Sequence, residues 1–226
     1  MDTPLTFTII GITVLISYLA FERRDWFNRL AFHPYVVFQN KEWDRLIGHT
    51  FVHADWMHLG FNMYTFYSFG QILETVLTHP NMLQRFHPDM NMWSPLTGKV
   101  FFVLLYFIGA VIASLPSLKK YRYQYAYRSV GASGGVSAVM MAFMILFPTM
   151  DVGFMMLIPM PAWIGAMVFL GLEHYFSKKG QGPIAHDAHI YGALGGLLIV
   201  GIWDYHFYID FVQAVSQQIS NFFFRS

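Results

Sequence analysis

Two short stretches of this chain carry side chains able to do covalent chemistry. GASGG (131–135) sets Ser133 among glycines, and AHIYGALGG (188–196) sets His189 one turn before a run of small residues. Each opens an apolar segment long enough to cross a bilayer. A hydroxyl and an imidazole at similar depth on neighbouring helices are what a nucleophile and its general base require. His189, Gly192 and Gly196 fall at i, i+3 and i+7, on one helix face, and Ala188, Gly192 and Gly196 form a small-xxx-small stripe that admits a second backbone. Gly131, Ala132, Gly134 and Gly135 offer an equally small partner surface. Brought together, His189 would take the serine proton and later pass it to a leaving amine.

A further polar group lies in HADWMHLGFN, which holds His53, His58 and Asn62. His58 and Asn62 are four apart and share a helix face. With a backbone N–H near Ser133 they would be donors to a developing oxyanion, each typically worth roughly 3 kcal/mol in the transition state. Asp187 stands two residues before His189, about 200° round the helix, and Asp151 and Asp204 lie at span ends. The sequence therefore reads as a dyad.

Composition indicates where such chemistry would sit. The 226 residues are 55% hydrophobic and only 12% charged, with a mean hydropathy of +0.41, whereas soluble chains carry about 25% charged residues. A net charge of +1 offers no basic surface for nucleic acid. The absence of cysteine excludes disulfides, a thiol nucleophile and cysteine-based metal sites.

About 20 apolar residues cross a bilayer core as a helix, and the hydropathy pattern predicts six spans, near 4–21, 57–77, 100–117, 131–148, 154–176 and 185–203. The first lacks a basic leader region and a clear cleavage site, so it reads as a retained span. Residues 22–56 form a long, aromatic, mixed-charge loop suited to the interface. The expected class is an all-α membrane protein, with one six-helix domain over 1–203 and an amphipathic, interfacial tail over 204–226. Lys and Arg number five, four and two in the first, third and fifth loops, against two, none and one in the second loop, fourth loop and tail. The positive-inside rule would place the odd loops in the cytoplasm.

Taken singly, these residues have plainer readings. A serine in a glycine-rich helix usually bonds the carbonyl of the preceding turn. His53 would brace the first loop or the start of the second span, and His186 would face water in the fifth loop. Arg45 would be a loop brace or lipid-headgroup contact. Glu74 would bond loop backbone or sit at a solvated helix end, and the basic loop 119–128 would meet phosphate headgroups.

The motifs together resemble the rhomboid family of intramembrane serine proteases. GASG resembles the family's GxSG, with Ser133 as nucleophile, and AHIYGALGG resembles AHxxGxxxG, with His189 as base. His53, His58 and Asn62 match H-x4-H-x3-N, Gly70 and Glu74 match a GxxxE pair, and Arg45 stands at the spacing of the first-loop arginine. The match runs over about 42–196 in the family's order. It implies a six-helix bundle with a water-filled cavity, Ser133 below the membrane surface, and structural support from His53, Arg45, Glu74, Gly131, Gly134, Gly192 and Gly196. It also implies single-pass membrane proteins as substrates and no metal or cofactor. The N-terminus would be cytoplasmic, with the site open to the extracytoplasmic side of a cell (inner) membrane, opposite to the charge tally. Two departures are visible: Ser137 stands where the family commonly has an aromatic residue on the histidine, and Asp44 separates Trp43 from Arg45. Competing readings are a histidine-based intramembrane metal enzyme or transporter, from HTFVH (49–53) and HDAH (186–189), and a non-catalytic relative that binds membrane proteins.

Overall fold

A computed structural model describes residues 3–154, 158–179 and 186–224. Helices overlap each of the six predicted spans. α1 (Pro4–Glu22) is followed by three short helices, α2 (Arg24–Leu30), α3 (Pro34–Asn40) and α4 (Arg45–Gly48), and then by α5 (Trp56–Thr78). After α6 (Pro80–Leu83) come α7 (Pro95–Lys120), α8 (Ser133–Leu146), α9 (Ala162–Lys179), α10 (His186–Trp203) and α11 (His206–Phe224). By length and composition α1 and α7 are each able to cross a membrane, and α10 with α11 would be a third case if that bent pair were one span.

The first loop is thus largely helical rather than irregular. The all-helical expectation also needs correcting at 151–161. There β1 (Asp151–Phe154) pairs antiparallel with β2 (Ile158–Pro161), Asp151 opposite Pro161 and Phe154 opposite Ile158. Pro159 and Pro161 lack the N–H a helix interior needs and hold the preceding residues extended, so α9 starts at Ala162, not near 154. Residues 155–157 lie outside the described set, as do 180–185 with Ala185, the predicted start of the sixth span.

α8 is the axis of the bundle. Every residue from Gly134 to Leu146 is buried, while Ser133, its first residue, is half-buried. Fourteen residues span roughly 21 Å, short of a 30 Å core, so α8 suits an interior element. Glycines set its distance to both neighbours. A Cβ at Gly192 or Gly196 of α10 would collide with the backbone carbonyl oxygens of Gly134 and Ala138. A Cβ at Gly135 would lie 2.7 Å from the Tyr106 carbonyl oxygen of α7, and one at Gly134 would strike Ala113. Backbones in direct contact are what small residues allow between membrane helices.

α1 is fixed to α5 by a buried carboxylate. Glu74 accepts the backbone N–H of Leu5 (2.9 Å) and Thr6 (2.7 Å) and the Thr6 hydroxyl (2.7 Å). These amides belong to the first turn of α1, whose N–H groups have no intrahelical partner. Gly70, one turn before Glu74, leaves room for the Thr6 side chain. Glu74 therefore bonds helix backbone, with no solvent contact. Past α10 the chain turns through 112° into α11. Asp204 at the corner accepts from Asn91 and His206.

Candidate active site

Ser133 stands at the N-terminus of α8, held by the segment that precedes it. Gly131 has φ +122°, a conformation open to glycine and strained for other residues. Its missing side chain is also needed for space, since a Cβ there would lie 2.7 Å from Cε1 of His58. The Gly131 N–H donates to the His49 carbonyl (3.0 Å), and Phe32 and Ser129 exchange two backbone hydrogen bonds (2.9 and 3.0 Å). The first loop thus clamps the strand that delivers Ser133.

His53 completes the clamp. Ser17 donates its one proton to the Phe51 carbonyl (2.8 Å), so its oxygen accepts from His53 Nδ1 (2.9 Å). That leaves His53 Nε2 as an acceptor for the Ala132 N–H at 3.2 Å. The relay requires a neutral ring. Burial, then the neighbouring His58, pushes the His53 pKa down to about 3. His49, also buried in the first loop, is pushed down to about 4. Each histidine of HTFVH has its own partners, with His49 Nδ1 against the Arg45 carbonyl (3.0 Å) and Nε2 against Ser114 (3.3 Å). Arg45 is a buried brace: its guanidinium reaches Glu42 (2.7 Å) and the carbonyls of Asn28 and Ala31 (2.8 Å each).

His58 and Asn62 lie on the first two turns of α5, a helix capped by Asp55, which accepts the His58 N–H at 2.8 Å. Asn62 Nδ2 donates one hydrogen to the His58 carbonyl (2.9 Å), which leaves its second available. Asn62 is buried, while the His58 ring lies across Gly131, two residues from Ser133. The first N–H groups of α8 lack intrahelical partners and carry the positive end of the helix dipole. A hollow of about 20 Å³, lined by Ser133, Ser114, Ser117, Ser129, His49 and Phe32 among others, lies beside Ser133 and has room for a water molecule.

His189 is carried into the same region by α10. Gly192, one turn below it, touches Gly134, the neighbour of Ser133; a Cβ at Gly192 would lie 3.0 Å from the Gly134 Cα. Among the described residues no hydrogen bond joins Ser133 Oγ to the His189 ring. Contacts between a base and its nucleophile commonly close only when substrate binds.

What the sequence reading missed is Glu173, on α9. Its Oε1 lies 3.0 Å from His189 Nδ1 and its Oε2 lies 2.7 Å from His186 Nδ1. His186 is therefore turned to this carboxylate and not simply to water. The signal was present, since an ionisable group inside a predicted span defaults to a functional reading, and Glu173 falls within 154–176. Asp187 points elsewhere, accepting from the Ser177 hydroxyl. Glu173, His186 and His189 place three ligand-type atoms within 4.8 Å of one another. The 2.7 and 3.0 Å spacings suit direct contact better than a tetrahedral zinc, whose bonds of about 2.0–2.1 Å would hold such atoms roughly 3.3 Å apart.

The family model described as Rhomboid domain matches residues 40–204. Rhomboid protein 1, mitochondrial, of Saccharomyces cerevisiae is 29% identical over 178 residues, a stretch that is 76% of this chain and 43% of the yeast protein. The chain thus spans less than half the length of that relative. The domain match takes in Ser133, His189 and the α10–α11 corner, and on it the chain belongs to the rhomboid family of membrane proteins.

Proposed function

We propose that this chain is an intramembrane serine endopeptidase, cutting peptide bonds in or near the spans of single-pass membrane proteins. The observation that carries the reading is the backbone contact between Gly192 and Gly134, which draws the helix bearing His189 against the helix bearing Ser133. His189 removes the Ser133 proton as the oxygen attacks the scissile carbonyl. The oxyanion meets the free N–H groups at the start of α8, with His58 and the second Asn62 N–H beside them. His189 returns its proton to the leaving amine, and water then hydrolyses the acyl-enzyme. No metal or cofactor takes part, and no nucleic acid is bound.

In this reading the six long helices of residues 1–203 form one membrane domain, and α11 lies along the interface. The N-terminus is cytoplasmic and the site opens to the extracytoplasmic side of a cell (inner) membrane, as the family layout favours. Family membership supports the membrane domain, and the buried, small-residue packing of α8 supports a helix bundle around it.

A fluorophosphonate probe tests it. Ser133 becomes labelled, His189→Ala abolishes labelling while the thermal midpoint is kept, and Ser133→Ala stops cleavage of a reporter span at unchanged expression. Labelling at another residue, or labelling indifferent to His189→Ala, would refute the dyad.

A further inference from the structure

We infer that Glu173 is the positioning residue for the catalytic base, holding His189 of the Ser133–His189 dyad from a third helix, α9. This inference rests on the protease reading above and deepens it.

Glu173 lies on α9, and its carboxylate meets α10 at the first turn, with Oε1 3.0 Å from His189 Nδ1 and Oε2 2.7 Å from His186 Nδ1. The Glu173 side chain is 15% exposed and that of His189 17%, so water competes little for the contact. An ionised carboxylate only accepts, so the ring nitrogens facing it carry the protons. A neutral His189 with its proton on Nδ1 has its lone pair on Nε2, on the opposite edge of the ring. That is the tautomer a general base needs. When His189 takes the Ser133 proton, the resulting imidazolium keeps Nδ1–H beside a negative charge, and no proton need pass to Glu173. The same carboxylate limits rotation of the ring. Ser137, small and buried one turn after Ser133, offers no aromatic face to do this. His186 occupies the second carboxylate oxygen and stacks on Phe176 (5.5 Å between centroids), which holds Glu173 from the other side.

The test uses the full chain in detergent or liposomes, with a reporter span as substrate, in the presence of EDTA. Glu173→Leu should lower kcat by about 10- to 10,000-fold, between the loss of a histidine's outer hydrogen-bond partner and the loss of the buried aspartate of a serine triad. KM should stay within about threefold, since substrate is not touched. Fluorophosphonate labelling of Ser133 should slow in parallel, and the thermal midpoint should hold. Glu173→Gln, which keeps a carbonyl acceptor, should recover part of the rate. His186→Ala spares the Oε1 contact and should cost less than Glu173→Leu.

Wild-type kcat in Glu173→Leu, with Ser133→Ala and His189→Ala both inactive, would overturn the role of Glu173 and leave the protease reading standing. Cleavage surviving in Ser133→Ala would instead end the protease reading itself. Loss of wild-type activity in EDTA with recovery on added zinc, or a His186→Ala loss equal to that of Glu173→Leu, would overturn the positioning role in favour of a metal centre on Glu173, His186 and His189.

Discussion

The backbone N–H of Ala132 donates to Nε2 of His53 at 3.2 Å, which ties the residue before Ser133 to the first loop. Ser17, from α1, is the next link through His53 Nδ1. His53→Ala should leave the Ala132 N–H and the Ser17 hydroxyl short of partners, at about 1–3 kcal/mol. A lowered thermal midpoint together with slower probe labelling of Ser133 checks this. An unchanged labelling rate in the folded variant would show that the clamp does not hold the nucleophile.

The same ring makes stability depend on pH. His53 is neutral when folded, with a pKa near 3 against the ordinary 6.5. The unfolded chain takes up this proton first as pH falls, so stability is full above about pH 6.5 and is lost progressively towards pH 3. His49, pushed to about 4, acts with the same sign. His53→Gln keeps an acceptor for Ala132 and cannot titrate in this range. Its thermal midpoint should decline less steeply between pH 7.5 and 4.5 than that of the wild type.

Glu74→Gln should destabilise the α1–α5 contact without touching the chemistry. A charged cap accepting three hydrogen bonds becomes a neutral amide whose NH2 must face a backbone N–H. The loss should be about 1–3 kcal/mol. Denaturant or thermal unfolding measures it, while kcat per folded molecule should be unchanged.

Glycine substitutions should divide according to what faces them. Gly192→Ala and Gly196→Ala drive a methyl into the Gly134 and Ala138 carbonyls and should cost more than about 2 kcal/mol, as overpacking does, with cleavage lost. Gly171→Ala on α9 meets open space and should be neutral or stabilising by up to about 1 kcal/mol through helix propensity. Equal tolerance at all three positions, scored by unfolding and reporter cleavage, would contradict the close contact of α8 and α10.

His87 links three elements: Nδ1 lies 2.7 Å from Asp210 of α11, and Nε2 lies 2.8 Å from the Leu146 carbonyl at the end of α8. Both partners present oxygens to the ring, which ties α11 to the end of α8. His87→Leu should free α11 at its start, seen as faster proteolysis within 206–224 and a lower thermal midpoint.

The sequence determined which residues could react and which helix faces they share. Ser133 beside glycines, His189 above Gly192 and Gly196, and the GxxxE pair of Gly70 and Glu74 follow from local spacing and the period of 3.6. It also placed six apolar segments, because crossing a bilayer demands length and apolarity that any reader of the chain can count. The fifth was misjudged at its start, where Pro159 and Pro161 shift the balance from helix to strand.

The tertiary structure alone decided which neighbour each face would meet. A helical period gives the direction of a side chain relative to its own axis and says nothing of the helix across from it. So Glu74 finds the first turn of α1, 68 residues away, His53 finds Ser17 and Ala132, and Glu173 faces His189 from a separate helix. These pairings arise because a buried carboxylate, imidazole or amide without a partner is costly, and the partner is whichever group the packing of distant segments brings within about 3 Å.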